Sequence, residues 1–111
     1  MPNVVQYNRF VDKNQVLSFT MKVRQGNDYV AISDWEFEFI LYNAVGVPIW
    51  DITNDDFTRP DEFTIHFQKS VAQLNLVITN IYTISLLATN NDMVNNEIMN
   101  GYWRFGTTQT G

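Results

Sequence analysis

The stretch DWEFEFILYN, residues 34–43, sets Asp34, Glu36 and Glu38 at every second position. Carboxyl groups at i and i+2 of a strand project from one face about 6.5 to 7 Å apart, between the retaining and the inverting spacings of glycosidase pairs. That spacing permits acid–base cleavage of a glycosidic bond. The reaction also needs one acid of raised pKa in a cleft lined by substrate-binding groups, whereas here the face that carries the acids continues into Ile40 and Tyr42. Trp35, Phe37, Phe39 and Leu41 fill the alternate positions, which is the pattern of a half-wet strand with acids in water opposite a core face. The expectation is a solvated face and no catalytic residues.

Other chemistries find fewer residues. His66 is the only histidine, so one chain cannot build a histidine metal cluster. No serine sits in a nucleophile motif. The acidic segment DITNDDFTRPDE, with Asp51, Asn54, Asp55, Asp56, Asp61 and Glu62, offers oxygen ligands but not the spacing and glycine of an EF-hand loop. It reads as a solvated crossing between strands, with no metal or other cofactor expected. Trp50, Tyr102 and Trp103 are the aromatic residues able to form a platform for a sugar ring, although in so small a domain such residues more often fill a core or an interface.

Composition bounds the rest. A chain of 111 residues, 45% apolar and 14% aromatic, has room for one domain with one core and needs neither metal nor disulfide to fold. Cysteine is absent. Seven scattered basic residues against twelve acidic ones, a net charge of −5, disfavour binding to a phosphate backbone. The start MPNVVQYNRF has no basic segment followed by an apolar run, so no secretory signal is read there, and no apolar run approaches the roughly 20 residues that span a bilayer.

The elements that must position these groups are dominated by period two. In VLSFTMKVR, residues 16–24, Leu17, Phe19, Met21 and Val23 alternate with polar residues; the alternation returns over residues 34–42, in EFTIHFQKS through Phe63, Ile65 and Phe67, and in NIYTISLLAT through Tyr82, Ile84, Leu86 and Ala88. Each predicts a half-buried strand. Pro48 in VPIW predicts an edge strand, because it cannot donate to a ladder. AQLNLVIT, residues 72–79, is read as a further strand with Leu74, Leu76 and Ile78 on one face. DMVNNEIM, residues 92–99, is read as the start of a bulged strand, Gly101 as a tight hairpin or a glycine bulge, and YWRF as the closing strand with Trp103 and Phe105 inward. Seven to nine short strands without an amphipathic helix predict an antiparallel β-sandwich of immunoglobulin-like or related Greek-key type. It spans 1–111 as one domain, with 1–14 and 107–111 as extended terminal arms.

The succession of DWEFEFILYN, GVPIWDIT, FTIHF, IYTISLLATNND with its tyrosine entering a late strand, and GYWRFG resembles the small immunoglobulin-like domains of tailed-phage virion proteins, such as the N-terminal domain of upper baseplate proteins. The resemblance implies a non-enzymatic building block, assembled into a virion in the host cytoplasm, that docks copies of itself or other virion proteins. The fibre or coiled-coil extension usual after that domain has no counterpart in these residues. The residues expected at such contacts are Trp50, Tyr102 and the polar tail Thr107, Thr108, Gln109, Thr110 and Gly111, which has no large apolar group to bury in its own core. No nucleic acid and no membrane are expected as partners. The alternative is a carbohydrate-binding module with a glycan ligand.

Overall fold

The alternating segments do become strands. The computed structural model of the chain describes residues 4–107, and along them run β1 (Val5–Gln6), β2 (Arg9–Asp12), β3 (Leu17–Lys22), β4 (Arg24–Gln25), β5 (Asp28–Tyr29), β6 (Glu36–Tyr42), β7 (Pro48–Ile52), β8 (Thr64–Lys69), a short helix α1 (Val71–Asn75), β9 (Asn80–Thr89) and β10 (Asn96–Gly106). The fold is an all-β sandwich. One layer is a sheet in the order β1, β10, β9, β6, β7, with β2 following β1 along the same edge of β10. The other is the antiparallel pair β3 and β8, and β4 with β5 makes a small separate hairpin. Pro48 opens β7, which is the sheet's outer strand, as its missing N–H requires.

Between the layers lie Phe19 of β3, Phe67 of β8, Phe39 of β6 and Trp103 of β10, with ring centroids 5.0 to 6.1 Å apart. All four are buried, as are Leu17, Phe37, Leu41, Ile65, Tyr82, Ile84, Leu86, Ala88 and Phe105. Each side chain of this size contributes about 1.5 to 3 kcal/mol on leaving water, less for alanine. The indole Nε1 of Trp103 is buried with no acceptor; Arg9 lies over that ring at 5.5 Å and Tyr7 meets it edge-on at 5.9 Å.

The segment read as a strand over residues 72–79 is not one. Ser70, extended, accepts a hydrogen bond from the Gln73 amide while the Gln73 side chain accepts one from the Ser70 amide, a capping box that starts α1. Only Leu74 of the expected apolar face is buried; Leu76 and Ile78 stand in water. The chain then turns into β9, where the Tyr82 hydroxyl donates to the Ile78 carbonyl. A tyrosine hydroxyl bonded back to the backbone a few residues upstream has the geometry of a tyrosine corner. Burial raises the phenol's pKa above its ordinary value.

Near the C-terminus the bulged strand expected from residues 92–99 is present but begins only at Asn96, and the reading of Gly101 is corrected. Residues 90–95 form a loop, organised by Asn90, whose side-chain oxygen accepts from the amides of Asp92 and Met93, and closed by Asn95 at φ 46°. Gly101 is neither turn nor bulge: it lies inside β10, and the ladder slips instead between Glu97 and Met99. A Cβ on Gly101 would sit 2.1 Å from the Tyr7 carbonyl oxygen, because the link between β1 and β2 crosses there. The stretch 1–14 is thus, where described, two strands paired in parallel with β10, with Val11 in the core.

Candidate functional site

The three acids of the opening stretch do not form one row. Asp34 is in a turn before β6, exposed; Glu36 is exposed at its first position; Glu38 is half-buried. Glu38 shares a hydrogen bond with the carboxyl group of Asp51 on β7, and that bond, desolvation and the repulsion of the Asp51 charge all raise its pKa. Both lie on the sheet face turned away from β3 and β8, since Asp51 is in register with Ile40. Part of the acid face is therefore a carboxyl pair that was not legible in a one-strand reading, because Asp51 comes from a neighbouring strand.

The register lays out the rest of this outer face. One row runs Asp51, Ile40, Ser85, Asn100, Gln6 across five strands, and the next runs Tyr42, Thr83, Tyr102. Tyr42 and Tyr102 flank one intervening strand, so their backbones stand about 10 Å apart, two strand spacings. The slip between Glu97 and Met99 absorbs Ile98 as an extra residue and brings Glu97 and Asn100 to the same face, a re-aiming typical of bulges. There the Ser85 hydroxyl donates to one carboxylate oxygen of Glu97 at 2.6 Å and the Asn100 amide to the other at 2.8 Å. Asn8, at the crossing over Gly101, accepts from the Tyr102 amide and fixes its place on the edge. A groove of about 340 Å³ lies between the two tyrosines, over Thr83, Glu97 and Asn100, with Gln6 at its side.

A second feature is an end of the molecule. Tyr42 pairs with Thr83, Asn80 with Phe105, Asp12 with Gly106 and Leu17 with Lys69. The turns 13–16 and 43–47 and the connection 70–79 therefore emerge together. Leu76, Val45 and Ile78 are 84%, 82% and 77% exposed there, with Val16, Ile81 and Phe10 close by in sequence or register. Thr107 leaves β10 at this end.

The aromatic platform of Trp50, Tyr102 and Trp103 is not assembled. Trp103 is in the core, Trp50 packs edge-on against buried Phe105 with Lys69 over its ring, and Tyr102 alone faces outward, since neighbours in a strand take opposite faces. Thr108, Gln109, Thr110 and Gly111 lie outside the described residues. In the acidic segment, Thr53 and Asp56 cap a single 3₁₀ turn, and Asp61 accepts from the Thr64 hydroxyl and the Phe63 amide, bonds that lower its pKa. Arg59 ties this loop to the Ile32 and Trp35 carbonyls and to the side-chain oxygen of Asn54. Among the described residues no group of three or more His, Asp or Glu is placed to hold a metal ion. His66 lies on the polar face of β8, its Nδ1 2.8 Å from the Thr20 hydroxyl. No helix among the described residues is long and apolar enough to cross a membrane. No protein-family model and no curated protein sequence matches this chain.

Proposed function

We propose that this chain is a non-enzymatic building block that docks neighbouring copies of itself in a larger particle, a tailed-phage virion, and that its apolar end is the docking surface. The observation that carries the reading is the gathering of Val45, Leu76 and Ile78, all more than three-quarters exposed, on loops at one end of the sandwich. Single exposed apolar residues are ordinary, whereas several brought together by the topology mark an interaction surface. The loops have polar alternatives for making the same turns: the 43–47 turn is held by the Asn43 side chain accepting from the Val45 and Val47 amides, which asks nothing of the side chains at 45 and 47. The resemblance of the strand succession to virion domains supports the setting, and the paired strands in both layers supply the rigid frame such a part needs.

The experiment is sedimentation of the full chain beside the double variant Leu76→Glu/Ile78→Glu. The wild type is expected to associate in a concentration-dependent way, and the variant to remain a monomer with an unchanged melting temperature, since neither side chain is in the core. A wild type that stays monomeric at high concentration, or a variant that associates as well as the wild type, removes the apolar end as the self-docking surface.

A further inference from the structure

We propose that the groove between Tyr42 and Tyr102 is a binding site for a neutral saccharide, recognised through adjacent hydroxyl groups by the carboxylate of Glu97. The inference stands apart from the docking reading, because it rests on the outer face of the sheet and not on its apolar end.

The carboxylate is the centre of the argument. Both its oxygens are already held, one by the Ser85 hydroxyl and one by the Asn100 amide, so it is fixed without needing a ligand, and little further ordering cost falls on binding. A carboxylate has about four acceptor sites, and these two bonds use two. Two adjacent ligand hydroxyls can donate to the remaining pair. Asn100 spends its amide nitrogen on Glu97 and keeps its oxygen as an acceptor. The hydroxyls of Thr83, Tyr42 and Tyr102 and the amide of Gln6 make no hydrogen bond among the described residues, so the groove offers free donors as well as acceptors. Such a mixed set matches a polyol.

The remaining features exclude other ligand classes. The lining contains one carboxylate and no cationic side chain, which disfavours phosphates and carboxylates. A single carboxylate is too few for a divalent cation, which takes several oxygen ligands. Beneath Glu97 and Asn100, Ser85 is almost fully buried, so the polar floor is part of the folded sheet and not a mobile surface group. The two tyrosines supply flat apolar faces for the C–H side of a sugar ring, with Tyr102 more than half exposed. About 340 Å³ is at the lower end of the roughly 300 to 1,000 Å³ of small-molecule sites, which suits one or two sugar rings. The site is built by the bulge at Glu97 and by Asn8 holding the Tyr102 amide.

The test is titration of the isotope-labelled full chain with the methyl glycosides of glucose, galactose, N-acetylglucosamine and rhamnose, and with glycerol as control, followed by backbone amide shifts. At least one glycoside is expected to move the amides of Thr83, Ser85, Asn100 and Tyr102 in a saturable way, glycerol not. Tyr102→Ala and Glu97→Gln are each expected to weaken that binding about tenfold or more, about 1.4 kcal/mol, with Tyr102→Ala keeping the wild-type melting temperature as an exposed position should. The proposal is overturned if no glycoside shifts these amides up to its solubility limit, if glycerol shifts them as well as the glycosides do, or if Tyr102→Ala binds as tightly as the wild type.

Discussion

Phe39 and Glu38 are neighbours in sequence and opposites in surroundings. Phe39 is fully buried among Phe19, Phe67 and Trp103, and its replacement by alanine should cost about 3 to 5 kcal/mol, read as a shift of the denaturant midpoint. A near-neutral result would mean that the core can collapse around the missing ring. Glu38 behaves otherwise. Its pKa is raised by the hydrogen bond with Asp51, by desolvation and by the Asp51 charge, so the folded state keeps the proton to higher pH than the unfolded chain does. The stabilisation from this group is complete below the ordinary carboxylate pKa, about 4.3, and is lost as pH rises through the raised value. Glu38→Gln, neutral at every pH, should therefore be more stable than the wild type at neutral pH and gain little in acid, checked by melting at both. Asp61 has the opposite sign: its lowered pKa gives stability above the ordinary value that fades as pH falls. The alternation made the two faces legible at residue scale, but not which acids meet, since Asp51 and Glu38 come together only through the β6–β7 register.

At the scale of elements, α1 starts on the reciprocal bonds of two residues, Ser70 and Gln73. Ser70→Ala removes the side chain that accepts from the Gln73 amide and should cost about 1 kcal/mol, while leaving the strands and their circular dichroism unchanged. Gly101→Ala should be worse, about 3 kcal/mol, because the new methyl meets the Tyr7 backbone oxygen and not a side chain that can move aside; the expected sign is release of β1 and early exchange of its amides. Both residues are in plain view in the sequence, and neither shows its role there. Ser70 to Gln73 is a capping box, yet the apolar spacing of Leu74, Leu76 and Ile78 fits a strand equally well, and five residues are too few for a helical period to show. Gly101 signals a close backbone approach as readily as a turn, and the Tyr7 crossing that decides between them lies more than ninety positions earlier in the chain. The long strands were legible because each buries one face against the other layer. A bulged start to the last strand was legible in residues 92–99, but its position at Glu97 and the groove it shapes were not, because no residue type there fixes where the ladder slips.

The whole molecule measures 46 × 29 × 26 Å, and its two ends differ. At one, Asp28, Asp34, Asp55, Asp56, Asp61, Glu62 and Asp92 surround the loops that precede β6 and β8 and follow β9; at the other are the exposed apolar loops and the departure of Thr107 from β10. Removing Thr107 to Gly111 tests what the second end does. These residues include no large apolar side chain, and the last core residue, Phe105, precedes them with its ring against Tyr82 and Trp50. The truncated chain is therefore expected to melt within about a degree or two of the wild type, since surface deletions away from named interactions stay within about 0.5 kcal/mol. If a neighbour uses the tail as an added strand or a strap, the same deletion weakens association, seen as a lower sedimentation coefficient at equal concentration. Unchanged association with unchanged melting assigns docking to the apolar loops alone, where Leu76→Glu/Ile78→Glu acts. A large drop in melting temperature means that the tail belongs to the fold beyond Gly106, since no other loss in those five residues can reach the core.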